Sequence, residues 1–265
     1  MAFRYRAVVA FDGTNFSGYQ LQQNGVTVQG ELERVLGEIA GPALRNLGKE
    51  MAPVRVNGCS RTDAGVHAKG MVVAFDLPCR IPLDGLRRGM NTRLPLSVRI
   101  MKVSRARADF NPQYEAKGKE YRYFLYNAPI LPPHLAPFWG WHHRPLDVGA
   151  MRDAAGRFVG THDMVSFAAL PGRPIASTVR TIRSFEVRKR GPRITFIVRG
   201  DGFLYKQVRS MVGFLVRVGL GDEKPEAVTE LLEKHPPRTA RVPTATGRGL
   251  FLWKVFYGKG GGKDA

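Results

Sequence analysis

At 265 residues the chain can build one large domain or two small ones around a real core. No apolar run approaches the ~20 residues of a membrane helix, and Cys59 and Cys79 stand without any CxxC pair. That composition excludes a spanning protein and a disulfide framework, and points to a cytoplasmic chain with no metal site. The 41 Lys and Arg against 22 Asp and Glu give a net charge of +19, spread along the chain, so the expected partner is a nucleic acid rather than an acidic membrane.

In chain order, Phe3, Tyr5, Ala7, Val9 and Phe11 alternate as a half-buried strand that ends at the turn pair Asp12-Gly13. Thr27 is placed to cap a helix whose apolar face is Val28, Leu32, Val35, Leu36 and Ile39, and Gly41-Pro42 is expected to end it. A short strand, Val54–Gly58, and an alternating one, Met71–Phe75, flank a loop of small residues. Pro82 opens a second helix through Leu83, Leu86 and Met90, and residues 97–103 read as a strand. Lys119–Tyr126 is an aromatic strand. Five prolines between residues 127 and 146 mark a connection.

The second part repeats the theme. A helix is expected from about Asp147 to Phe158, then strands near 178–188 and 193–199 around the turn Lys189-Arg190-Gly191-Pro192. Val208, Met211, Val212, Leu215 and Val216 define an apolar helix. Pro225 opens a short one, and Leu250–Phe256 is the closing strand. Gly258 to Lys263 reads as a flexible tail. Helices and strands that do not strictly alternate predict an α+β fold with largely antiparallel sheets. The expected division is 1–110, a connection over 111–146 that includes the aromatic strand, 147–258, and the tail 259–265.

The loop from Cys59 to Ala68 holds one carboxylate, Asp63, with Arg61 two residues before it and His67 four residues after it. A lone acid among cations in a basic protein holds either a reactive group or a structural ion pair. The run Arg61-Thr62-Asp63-Ala64-Gly65-Val66-His67-Ala68 resembles the catalytic-aspartate loop of the TruA family of tRNA pseudouridine synthases. Five further segments are similar to that family in the expected order. They are Phe11 to Gln20, Val28-Gln29 with Leu32-Glu33, Lys119-Glu120-Tyr121-Arg122-Tyr123, Gly202 to Gly213, and Gly249-Leu250-Phe251-Leu252.

The resemblance implies the pseudouridine-synthase α+β fold, with two related halves, sheets edge to edge and a basic cleft floored by Asp63. It implies conversion of uridine to pseudouridine in tRNA, at positions 38, 39 and 40 of the anticodon stem and loop, by a homodimer that needs no cofactor. Asp63 is then the nucleophile, or the base that removes a ribose C2′ proton. Tyr121 stacks on the flipped uracil, although among Tyr123, Phe124 and Tyr126 it would otherwise read as core. Arg61 holds a phosphate or props the displaced base stack. Arg209, early on an apolar helix, supplies a cation for Asp63. His67 either contacts RNA or is a structural imidazole of the loop.

Met71 departs from the pattern, since the family usually carries glutamine there, which puts local packing or an RNA contact in question. His142-His143, adjacent on a strand, is expected to point to opposite faces and to make poor metal geometry. Phe11-Asp12-Gly13-Thr14 is similar to a phosphatase motif whose attacking aspartate is replaced here by Ala10. The rival readings are a non-catalytic RNA-binding protein on the same fold, and a pseudouridine synthase acting on another RNA.

Overall fold

The computed structural model describes residues 2–46, 53–169 and 176–258. The expected tail, 259–265, lies outside them. The chain forms two compact units, Met1–Lys117 with Leu252–Ala265, and Gly118–Phe251.

In the first unit the strand order is β4-β1-β3-β10, formed by β4 (Val98–Arg105), β1 (Phe3–Phe11), β3 (His67–Leu77) and β10 (Leu250–Tyr257). β2 (Val56–Gly58) pairs antiparallel with β3, and β1 runs antiparallel to both β3 and β4. Tyr5, Ala7, Val9 and Phe11 are buried as the alternation predicts, and Tyr5 stacks on Phe75 at 5.8 Å. Helix α1 (Val28–Asn46) buries Val28, Leu32, Val35 and Leu36 completely, each worth about 1.5–3 kcal/mol. Thr27 caps it, its Oγ1 accepting from the Gly30 N–H at 3.2 Å.

Gly41-Pro42 does not end this helix, which runs on to Asn46 with Pro42 inside. Proline removes the bond to the carbonyl four residues earlier. That carbonyl belongs to Glu38, and both Glu38 and Pro42 lie on the exposed side, where water can take the lost donor's place. Helix α2 (Leu83–Arg93) buries Leu86 and Met90 and packs against β4.

In the second unit the order is β5-β9-β8-β7, formed by β5 (Ala116–Asn127), β9 (Arg193–Gly200), β8 (Val179–Arg190) and β7 (Gly160–Asp163). All three pairings are antiparallel, and β6 (Gly140–His142) lies parallel beside β5. Helix α3 (Val148–Gly156) starts at Asp147, whose Oδ1 accepts from the Gly149 and Ala150 N–H groups at 2.8 and 3.1 Å. It packs on β8 and on α4 (Gln207–Gly219), and α5 (Ala227–Lys234) follows. Phe158, Phe167, Phe185 and Phe214 meet in this core.

Strand β7 was not expected, and β6 only in so far as His142-His143 is expected on a strand. Three and four residues are too short to display a period, and β6 is hidden among prolines. The histidine pair also departs from expectation: the His142 and His143 rings stack at 5.3 Å and 12°. β6 ends at His142, so the strand alternation does not extend to its neighbour.

Candidate functional site

The Asp63 loop is fixed by its backbone. At its start the Cys59 N–H donates to the Val72 carbonyl at 2.9 Å. The Cys59 thiol donates to the Met71 sulfur at 3.4 Å, with both side chains fully buried. Met71 therefore sits as an apolar partner for a thiol under the loop, where an amide would have required a hydrogen-bonded site.

Further on, the Thr62 carbonyl accepts from the Tyr19 N–H at 3.1 Å, and the Asp63 carbonyl accepts from the Val66 N–H at 3.1 Å. Two glycines of the Phe11–Gln20 segment back these points. A Cβ on Gly18 would lie 2.7 Å from the Thr62 carbonyl oxygen, and one on Gly13 would come closer still to that of Val66. Only glycine permits such backbone approach, so the loop is gripped on both sides of Asp63. Burial pushes the Tyr19 phenol far up, with Cys59 and Glu33 adding to the effect, so Tyr19 is a neutral prop.

Within this frame Arg61 is exposed, Asp63 is half-buried, and His67 is fully buried at the start of β3. The His67 Nδ1 accepts from the Gly13 N–H at 2.9 Å. It also lies 3.2 Å from the Asp12 carboxylate, a distance that would mark an ion pair if the ring were charged. The two contacts conflict, because an Nδ1 that accepts carries no proton. The Gly13 bond has its donor hydrogen directed at Nδ1, and Asp12 is already engaged by the Thr14 N–H and hydroxyl at 2.9 and 2.6 Å. The Nδ1 is then the acceptor, and the buried ring ties the end of the loop to Gly13.

In the second unit Tyr121 lies on the inner face of β5 with Tyr123 and Leu125. It is 6% exposed and meets Phe203 edge-on at 5.2 Å and 84°. The outer face holds Glu120, a carboxylate only 2% exposed. Its oxygens accept from Arg122 Nε and Arg199 Nε, each at 2.7 Å. Burial pushes Glu120 up, but the two guanidiniums outweigh it and hold the group below the usual carboxylate range. Arg209, half-buried in the first turn of α4, donates from Nε to the Ala245 carbonyl at 2.7 Å, and the Ala245 N–H returns a bond to the Arg209 carbonyl at 3.0 Å.

The first unit thus gathers Asp63, Arg61 and His67 on one loop, and the second holds Tyr121 and Arg209. Sequence reasoning left two features out. Gly13 and Gly18 act as the loop's grip, which their spacing around Phe16 did not reveal. Glu120 is a buried acid in a strand, and its neighbours Lys119 and Arg122 were the available signal.

A family model described as tRNA pseudouridine synthase matches residues 7–115 and 154–258, both sides of the proline-rich connection. The chain belongs to that family. It is 39% identical over 257 residues to tRNA pseudouridine synthase A of Geobacillus kaustophilus, covering 97% of this chain and 95% of that one. It is 40% identical over 253 residues to the protein of the same name from Geotalea uraniireducens, covering 95% and 98%. A chain in a crystal structure of a Cbf5–Nop10–Gar1 complex overlaps 84% of this chain and 46% of its own length, at 14% identity and a TM-score of 0.33. As a member of the tRNA pseudouridine synthase family the protein is an enzyme of the isomerase class, in an α+β fold with mainly antiparallel sheets. Among the described residues no helix is long and apolar enough to cross a membrane, and no cluster of three His, Cys, Asp or Glu side chains is placed to hold a metal.

Proposed function

We propose that this enzyme converts uridine to pseudouridine in the anticodon stem and loop of tRNA, at positions 38, 39 and 40, with Asp63 as the reacting carboxylate. The observation that carries the reading is the Asp63 loop. Its backbone is gripped on both sides by Gly13 and Gly18, while the acid stays half-exposed. A merely structural ion pair has no need of such a mount, whereas a reacting group does.

Pseudouridine formation breaks the C1′–N1 bond, turns the uracil, and joins C1′ to C5, from which a proton is then lost to N1 or solvent. One ionised carboxylate serves either route, by attacking the nucleotide or by taking the C2′ proton. The uridine must leave the base stack to reach it. Tyr121 takes the face of the flipped uracil, Arg61 holds a neighbouring phosphate, and Arg209 is the second cation assigned to the reaction. His67 supports RNA binding by holding the loop.

The net charge of +19 supports a polyanionic substrate. The enzyme works in the cytoplasm as a homodimer, because an L-shaped tRNA needs contacts far from the flipped base to fix its register. Sedimentation of the free enzyme tests that state, and a fully active monomer would refute it. The decisive experiment is pseudouridine mapping of RNA from cells lacking the gene, complemented with wild type or with Asp63→Asn. Marks at tRNA positions 38–40 should vanish and return only with wild type. Loss at other RNA sites alone would favour the second rival reading.

A further inference from the structure

Residues 17–26 form a closed loop mounted on the Asp63 loop. Its ends meet where the Ser17 N–H donates to the Val26 carbonyl at 2.9 Å. Gln22 Nε2 donates to the Ser17 carbonyl at 2.6 Å, and the Leu21 N–H donates to Gln29 Oε1 at 3.0 Å. The mount is the Tyr19 N–H on the Thr62 carbonyl, one residue before Asp63, with Gly18 packed against the same carbonyl. A loop cinched at three points and bonded beside Asp63 keeps a fixed place relative to that acid.

Its outward surface is unusual for this protein. Residues 13–30 contain no Lys, Arg, Asp or Glu, although a quarter of the chain is charged. Leu21 and Val26 are 46% and 58% exposed, and the residues between them, Gln22, Gln23, Asn24 and Gly25, are exposed as well. Single exposed aliphatic side chains are ordinary. Two of them on one rigid, uncharged loop fixed beside a reactive carboxylate call for a partner. Without a cation the loop can offer a phosphate only neutral donors, and these do not account for its two exposed aliphatic side chains. Aliphatic tips with amides between them suit the interior of a base stack, where apolar side chains wedge between bases and amides meet base edges.

We propose that Leu21 and Val26 are a wedge that enters the RNA base stack as the target uridine leaves it, with Gln23 and Asn24 meeting the base edges so exposed. This rests on the reading of Asp63 given above. The wedge fills the space the flipped nucleotide vacates, so it slows restacking and holds the uridine in reach of the acid. Its contribution is largest where the uridine must leave a base pair, and small where it is already unpaired.

The test uses two RNA hairpins that differ only in the base opposite the target uridine, which pairs with it in one and cannot pair with it in the other. Single-turnover rates are measured for wild type, Leu21→Ser/Val26→Ser and Leu21→Met/Val26→Ile. Thermal unfolding confirms that all three are folded. The serine variant should lose about tenfold or more on the paired target and about twofold or less on the mismatched one, and the Met/Ile variant should keep its rate on both. Equal losses on both hairpins would overturn the wedge and make the loop a support for Asp63. Unchanged rates on both would overturn it and assign the loop to another partner, such as a protein. A wild-type enzyme that converts neither hairpin, yet binds them, would overturn the reading of the site and the wedge with it.

Discussion

The Asp63 loop and strand β5 both carry residues assigned to the reaction, but they reach that point by different physics. In the loop no side chain is explained by periodicity. The glycines that back it, the buried imidazole of His67 and the thiol under its start all serve to hold a short backbone in place. In β5 the tyrosine is already explained by packing. Tyr121 alternates with Tyr123 and Leu125 on the inner face, as any buried strand would have it. The oddity of that strand is on its other face, where Glu120 is buried between two arginines. A loop therefore displays a candidate acid openly, whereas a strand would hide a functional residue among structural ones.

The largest expected effect tests the loop. Asp63→Asn keeps the size of the side chain and its half-buried place and removes only the charge. Turnover should fall by about 10⁴-fold or more, as for other single reacting groups, while RNA affinity changes only a few-fold because phosphate contacts lie elsewhere. Wild-type turnover in this variant would return Asp63 to the class of structural acids.

Gly13→Ala asks whether the grip on the loop matters. Its Cβ would overlap the Val66 carbonyl oxygen, a backbone atom that cannot swing aside. Stability should drop by about 2–3 kcal/mol, and turnover should drop with it as the loop shifts. The control is Gly191→Ala, in the turn between β8 and β9, where φ is +57° and a Cβ meets nothing within 4 Å. There only backbone strain is added, about 1–2 kcal/mol, with turnover unchanged. Equal turnover in both variants by steady-state kinetics would mean that the loop tolerates displacement.

Strand β5 is tested by Tyr121→Phe and Tyr121→Leu. Phenylalanine keeps the ring against Phe203, so stability should hold within about 1 kcal/mol. The rate should fall about tenfold if the phenol helps move the C5 proton. Leucine removes the aromatic face as well, and the rate should fall a further tenfold or so, in line with stacking worth about 1–3 kcal/mol per base. Wild-type rates in both would leave Tyr121 as core alone.

The same contrast explains what was legible beforehand. The period of two in Phe3–Phe11 and the apolar stripe of α1 predicted buried faces that the structure shows, because burial is what periodicity encodes. The extension of α1 through Pro42 was not legible, because it depends on which side of the helix meets water. β3 begins at His67 rather than near Met71, because the Gly13 bond draws the loop's end into the strand. That bond joins residues 54 apart, and no local pattern announces it. The candidate residues themselves were legible only through resemblance, since a carboxylate in a loop and a tyrosine in a strand are each ordinary.

The smallest expected effect falls on the structural face of β5. Glu120→Gln would leave Arg122 and Arg199 facing a neutral amide. Both arginines are partly in water, so the loss is about 2 kcal/mol, that of a charge-assisted hydrogen bond, and the unfolding midpoint should drop by about 5 °C. The sign of its pH dependence follows from the lowered pKa. The unfolded chain binds this proton more readily than the folded one, so the stability Glu120 contributes is complete above the ordinary glutamate value of about 4.3. It is lost as pH falls from there through the lowered native value. The midpoint gap between wild type and Glu120→Gln should therefore be full at neutral pH and close as the solution is acidified below that range. Turnover should change by less than about threefold, because Glu120 and Tyr121 face opposite sides of the strand. A gap that ignores pH would mean the carboxylate is not held by its two arginines. A collapse of turnover with stability intact would instead move Glu120 from the scaffold into the reacting machinery, and strand β5 would then carry functional residues on both faces.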